Sequence, residues 1–351
     1  MKVCIIGDVH YSQYSSILRK RGEKYSKRLE NLINSLNWAE EQAELNNCER
    51  IIYLGDTFDR SDLNAEELTA LQEVVWSEIP HSMLVGNHEG LMNDLSISSA
   101  HLFKLIPNVE VIDQPKLEVG FGYRFLFLPY ILEEDRLTIK DYFRNESTGV
   151  FETQEVKRNY IFSHNDIKMN YGLFESKEGF DISDIEKSGG LFFNGHLHNG
   201  SKFCKNGWNV GNLTGQNFGE DASKYKHQIC ILDTDTQTEE WIENPFAFNF
   251  YKFEINDISL IDSYISKLKN NSVVTIKAPE AYVKDIRTII EECNKIKEFR
   301  VVSIPNKDVP QGLTEQIEIE TVNHLDQFVS YVRSNLPVTD LLLSELSEVC
   351  K

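Results

Sequence analysis

The chain has 351 residues, 41 % of them hydrophobic and 26 % charged, which places it among folded globular proteins and excludes disordered and collagen-like classes. At ~100–200 residues per domain, this length points to two domains with room for a large core. Thirty-six basic against fifty-five acidic residues leave a formal charge of −19, so holding nucleic acid would need a local basic patch or bound cations.

The apolar run 2–7 (KVCIIG) reads as a strand ending in Gly-Asp and not as a signal peptide, because charged and turn residues interrupt it at once. Helical periodicity follows over 22–46 through Leu29, Leu32, Ile33, Leu36, Ala39 and Ala43, and a second strand at 50–54 ends in Gly55-Asp56. This is a βαβ unit that puts Asp8 and Asp56 at the same edge of a parallel sheet, where ligands of open α/β sheets bind. A helix over 65–76 leads to a strand at 81–85 and then to Gly86-Asn87-His88-Glu89. Extended segments at 108–113, 116–121 and 123–130 are expected to add antiparallel strands to the sheet. Strands at 159–163 and 190–194 each run into a histidine, and 202–218 and 227–233 read as hairpin strands closing the sheet system. These elements make up a first domain, 1–248.

From residue 249 the pattern becomes a compact β-α-β-α-β alternation, with strands at 250–255, 272–277 and 299–304 and helices at 258–269 and 280–297. It forms a second domain, 249–305. Residues 306–320 read as a linker, and 321–351 as a tail with two short amphipathic helices, too apolar for a free solvated end. No run of ~18 apolar residues is present, so no membrane span or membrane partner is expected and the expected location is the cytoplasm. The six scattered cysteines, with no CxxC pair, fit reduced thiols.

Five segments, each directly after an expected strand, carry Asp8 and His10, Asp56, Asn87 and His88, His164, and His196 with His198. Loops at one sheet edge that bring oxygen and imidazole donors together are what two divalent metals need. Within Asp8-Val9-His10 and His196-Leu197-His198 the i, i+2 spacing points both donors the same way. Asp56 suits a bridge, since one carboxylate can give an oxygen to each of two cations ~3.5–4 Å apart.

The motifs GDVH (7–10), GDTFD (55–59), GNHE (86–89), SH (163–164) and GHLH (195–198) resemble those of the calcineurin-like metallophosphoesterases, in the same order. The resemblance implies an α/β four-layer sandwich of mixed sheets with two metal sites. The first would use Asp8, His10, Asp56 and His198; the second Asp56, Asn87, His164 and His196. The metals, expected to be manganese with Mg2+, Fe2+ or Zn2+ as alternatives, would activate a water and clamp the phosphate, with His88 serving the leaving oxygen. Tyr11 follows His10, and Ser61 follows Asp59-Arg60, which departs from the GDxHG and GDxxDRG of the protein phosphatases. The whole chain is more similar to SbcD-type nuclease subunits of double-strand-break repair, above all those of large tailed phages. That similarity implies a DNA nuclease that acts with an SbcC-like, SMC-type ATPase and forms a homodimer within a heterotetramer. Residues 249–305 would then cap the DNA, and the tail would dock on the ATPase. The alternative is a stand-alone phosphoesterase acting on phosphoproteins, nucleotides or small phosphorylated compounds.

Many cellular members carry histidine where this chain has Asp59, whose carboxylate either orients His88 or a ligand or merely caps its loop. Arg60 is expected in a structural ion pair with Asp59, with a phosphate contact as the alternative. The one dense basic stretch, Arg19, Lys20, Arg21, Lys24, Lys27 and Arg28, is the expected DNA-backbone contact beside the metals. Tyr11, Tyr14 and Tyr25 among these cations are expected to pack, with stacking on unpaired bases as the alternative.

Overall fold

In the computed structural model the described residues are 1–15, 18, 20–92, 94–120, 122–144, 158–169 and 176–304. The expected linker 306–320 and tail 321–351 lie outside them, as does Arg19.

The strand Lys2–Ile6 buries both faces: Cys4 and Ile6 join one apolar cluster, and Val3 and Ile5 another. Such a strand needs cover on both sides, and it lies inside a six-stranded sheet. The order is Thr238–Glu243, Gln228–Asp233, Lys2–Ile6, Arg50–Tyr53, His81–Leu84, Val109–Ile112. The last four are mutually parallel, and Gln228–Asp233 pairs antiparallel with Lys2–Ile6.

Segments 116–121 and 123–130, expected as antiparallel additions to that sheet, instead belong to a second six-stranded sheet. Its order is Ser201–Cys204, Gly207–Asn209, Leu191–Asn194, Arg158–Ser163, Tyr123–Leu128, Lys116–Gly120, with four parallel strands flanked by antiparallel edges. Tyr123–Leu128 is apolar at nearly every position, so it settles where both faces are covered: Phe125 and Phe127 point to one apolar cluster and Leu126 and Leu128 to another. Segment 108–113 does join the first sheet, but in parallel.

The two sheets face each other across an aromatic core. Phe162 stacks between Phe127 and Phe193 at 5.4 and 6.1 Å, and Phe193 stacks on Trp208 at 5.3 Å. The helices Lys27–Leu45 and Ala65–Leu71 cover the outer face of the first sheet. Ile139–Arg144 and Ile182–Lys187 cover that of the second. The result is the expected mixed α/β sandwich of four layers. The first helix starts at Lys27 and not near residue 22, because Ser26 caps it, its Oγ accepting from the Leu29 amide at 3.2 Å.

A third sheet, Asn249–Glu254, Ser272–Pro279 and Ile296–Ile304, is parallel throughout, with the helices Ile261–Ser266 and Glu280–Glu291 in its crossovers. It has its own core around Tyr251, Val274, Ile276, Ile286 and Ile290, yet belongs to one compact unit with the sandwich, residues 1–304. Leu18 packs with Phe248, Phe250 and Val273 where the two meet. Among the described residues no helix is long and apolar enough to cross a membrane, and Cys4, Cys48, Cys204, Cys230 and Cys293 are free thiols.

Behind the first sheet, the buried Glu40 carboxylate accepts from Tyr53 Oη at 2.6 Å and the Ser77 amide at 3.2 Å, and lies 3.1 Å from His81 Nε2. Burial alone would raise its pKa; the hydrogen bond and charge of His81, with Tyr53 and Ser77, hold it below the ordinary value. A carboxylate lowered in the folded state adds stability that is complete above its unfolded pKa and disappears as pH falls through the folded one. Glu40→Gln is therefore expected to cost ~1–3 kcal/mol at pH 7 and progressively less below pH ~4, which urea unfolding at both pH values will measure.

Candidate metal centre

The candidate ligands come from two sheets, where the sequence suggested one edge of one sheet. Asp8 and His10 follow Lys2–Ile6, Asp56 follows Arg50–Tyr53, and Asn87 and His88 follow His81–Leu84, all in the first sheet. His164 follows Arg158–Ser163, and His196 and His198 follow Leu191–Asn194, in the second. Because these strands are parallel within each sheet, their carboxyl ends coincide, and the two edges meet.

The local backbone is bent to allow this. His10, Asp56 and His196 adopt φ of +49°, +46° and +67°, a left-handed region uncommon for side-chain-bearing residues. Surrounding hydrogen bonds maintain it: Val9 and His10 amides donate to Asp56 O at 3.1 and 2.8 Å, and the His196 amide donates to Asp8 Oδ1 at 2.9 Å. At Gly86 a Cβ would lie 2.1 Å from Asp56 Oδ1, so the close approach of the two loops requires glycine.

Three overlapping groups result: Asp8, His10, His198; His10, Asp56, His88; and Asp56, His164, His196, with donor atoms in each within 4.8 Å of one another. Asp56 joins them, its Oδ2 lying 3.1 Å from His164 Nε2 and 3.8 Å from His10 Nε2. Asn87 Oδ1 is 3.1 Å from His164 Nε2 and 3.0 Å from His196 Nδ1.

The outer ring nitrogens decide what the inner ones can do. His164 Nδ1 donates to Leu54 O at 2.8 Å; His196 Nε2 lies 3.2 Å from Asp166 Oδ1, His198 Nδ1 3.0 Å from Glu220 Oε1, and His10 Nδ1 3.3 Å from Asp59 Oδ1. The partners of His164, His196 and His198 are acceptors, so these three outer nitrogens carry hydrogen and each ring, when neutral, turns a lone pair inward, whereas His10 Nδ1 is buried without a hydrogen-bond partner. His10 Nε2 and His198 Nε2 are 3.1 Å apart, a separation that either a shared proton or a shared cation bridges. Asp8 Oδ2 is buried without a hydrogen-bond partner. Burial pulls the His164 pKa down, but Asp56, Asp8 and Glu89 outweigh it and lift the ring up to about 9, so the cluster draws positive charge to its centre. These donors fit two divalent cations: Asp8, His10, Asp56 and His198 around one, and Asp56, Asn87, His164 and His196 around the other.

His88 stands at the rim, 44 % exposed, with Nδ1 3.1 Å from Asp59 O and its ring edge-on to His10. The Asp59 carboxylate is nearer His10 than His88, 3.3 against 4.0 Å, so it faces a ligand. Arg60 is in a structural ion pair, but with Glu67 and Asp62 in place of Asp59, because Glu67 is fully buried and needs a counter-charge.

Two residues outside the motifs, Glu220 and Asp166, and one inside them that was given no role, Glu89, complete the site. Glu220 and Asp166 face the outer nitrogens of His198 and His196. Glu89 accepts from the Phe58 and Gly86 amides at 2.9 and 2.8 Å, tying two ligand loops together, and burial with the Asp56 charge pushes its carboxyl up to about 7. The available signals were the i+2 position of Asp166 after His164 and the Phe218-Gly219-Glu220 turn.

The basic stretch is mostly paired within the chain. Lys20 pairs with Glu298 at 2.9 Å, Arg21 with Glu66 at 2.6 Å, and Lys24 with Glu73. Arg28 is buried and donates to Gly215 O at 2.7 Å, since its place on the first helix points it into the sandwich. Lys27 opens that helix, its amide donating to Lys20 O at 3.1 Å. Tyr11 and Tyr25 are core residues, whereas Tyr14 is exposed with Arg60 over its ring.

The sequence profile of the calcineurin-like phosphoesterases matches residues 1–244. The chain is a calcineurin-like phosphoesterase. The match spans the sandwich and all five ligand segments and ends before the third sheet of this phosphoesterase. No curated protein matches it in sequence. Among solved structures it is similar to a purple acid phosphatase from yellow lupin (Lupinus luteus) seeds, with 15 % identity and a TM-score of 0.38 over 57 % of this chain and 38 % of that one. It is similar also to a dimetal phosphatase from Danio rerio, with 15 % identity and a TM-score of 0.38 over 70 % of this chain and 99 % of that one.

Proposed function

We propose that this phosphoesterase is a metal-dependent nuclease subunit of the SbcD type, hydrolysing DNA phosphodiesters together with an SbcC-like ATPase. The observation that carries the hydrolytic chemistry is the inward convergence of four imidazoles with Asp8, Asp56 and Asn87, beside an open His88. Two divalent cations there, with manganese the proposed native metal, supply an activated water and neutralise charge on the phosphoryl oxygens. With Nδ1 facing Asp59 O, protonated His88 presents Nε2–H to the leaving oxygen. The third sheet, beyond the family match, supports a polymeric substrate, because it adds a built surface for which a small phosphorylated compound has little use.

A stand-alone phosphoesterase acting on phosphoproteins, nucleotides or small phosphorylated compounds is the second reading, and charge favours it. With Lys20, Arg21, Lys24 and Arg28 occupied and a net charge of −19, the described surface offers a polyanion little grip. The deciding experiment gives the purified chain manganese with linear double-stranded DNA, a bis-aryl phosphodiester or an aryl phosphomonoester, with His164→Ala as control. Diester and DNA cleavage lost in the variant is the expected result. Monoester turnover with DNA untouched, with or without the ATPase, would replace the nuclease by the phosphatase.

A further inference from the structure

We infer that Glu220 is a positioning residue, a buried carboxylate that fixes the ring nitrogen His198 offers and thereby the affinity of one of two cation positions. The inference rests on the two-cation reading above and adds a residue from outside the five motif segments.

Glu220 is 2 % exposed and lies in the irregular stretch between the strands Gly207–Asn209 and Gln228–Asp233. Its Oε1 receives His198 Nδ1 at 3.0 Å and the side-chain amides of Asn212 and Asn217, each at 3.2 Å; its Oε2 receives the Gln216 amide at 2.8 Å. A carboxylate with that many donors is an acceptor towards all of them, so His198 carries hydrogen on Nδ1 and turns the Nε2 lone pair towards His10. Carboxylate contact at one imidazole nitrogen also raises the basicity of the other, and so its strength as a ligand. The counterparts Asp166 and Asp59 are 29 % and 35 % exposed, so water screens them, whereas Glu220 acts without that screening.

The loop holds the carboxylate in place from both sides. Leu213 donates its amide to Asp8 O at 2.8 Å, beside the cluster, and Arg28 donates to Gly215 O at 2.7 Å. The Gly215 and Ala222 amides donate to Phe248 O at 3.1 Å and Phe250 O at 2.9 Å, fastening the same loop to the start of the third sheet. His198 is thus set by a side chain that the sandwich and the third sheet jointly immobilise.

The test is Mn2+ titration by calorimetry on the full chain, comparing wild type with Glu220→Ala, Glu220→Gln and Asn217→Ala. Wild type is expected to take two ions. Glu220→Ala is expected to weaken one of them ~10–100-fold and leave the other unchanged, and Glu220→Gln, which keeps an acceptor oxygen but loses the charge, to weaken the same ion ~10-fold. Asn217→Ala removes one loop bond to Glu220 without touching His198, and is expected to weaken that ion far less than Glu220→Ala does. Wild-type affinity at both positions in Glu220→Ala overturns the inference, and so does an Asn217→Ala loss equal to that of Glu220→Ala, which would assign the effect to the loop. If Glu220→Ala does not fold, Glu220→Gln decides: unchanged affinity at both positions overturns it. Wild type that binds fewer than two ions overturns the two-cation reading itself, a result distinct from failure at Glu220 alone.

Discussion

Asp56→Ala is expected to reduce phosphoester hydrolysis by ~10³-fold or more, about 4 kcal/mol of barrier, while the protein stays folded. Asp56 Oδ2 lies between His10 and His164, so one truncation strips an anionic oxygen from both donor sets. Its Oδ1 also receives the His88 amide at 3.0 Å, so the rim histidine loses its tether. Asp56→Asn separates the two effects, because the amide keeps the tether and removes the charge. Rates of manganese-dependent diester cleavage for the three proteins, with circular dichroism to verify folding, are the measurement. A loss of less than tenfold in Asp56→Ala would contradict the shared-ligand geometry.

Phe162→Ala is the second large effect, a loss of ~3–5 kcal/mol in unfolding free energy. Phe162 is fully buried between the sheets, against Phe125, Phe127 and Phe193. Both sheets are pinned there, so neighbouring side chains cannot collapse into the hole without moving a strand. His164 is two residues on, and the folded fraction should lose activity as well. Phe246→Ala, at a side chain 41 % exposed, should change stability by less than ~0.5 kcal/mol in the same urea titration.

The strand ends carrying Asp8, Asp56, His164 and His196 were readable because apolar runs ending in Gly-Asp, Ser-His or Gly-His mark both an element and a donor. Which sheet each strand joins was not, since Tyr123–Leu128 is as apolar as a central strand of either, and partners are set by cover on both faces. The Phe218-Gly219-Glu220 turn was visible, but the role of Glu220 was not, because it comes from burial and from a loop that returns to His198, neither of which leaves a spacing in the chain. The basic stretch shows the converse: six cations were plain in the sequence, but the acids that neutralise Lys20, Arg21 and Lys24 come from residues 298, 66 and 73.

The place of Lys2–Ile6 between Arg50–Tyr53 and Gln228–Asp233 also bears on how the centre is made. This strand is flanked on one side by a strand more than two hundred residues later, so the loop it closes is among the longest in the sandwich, and such closures form late. At ~5–20 residues per second of synthesis, that neighbour follows the last histidine pair by only ~2–6 s, so every candidate ligand is made shortly before the strand arrives. A chain arrested before residue 228 therefore carries every candidate ligand yet lacks the strand that pairs beside the first of them, and is expected to bind metal more weakly than the full chain.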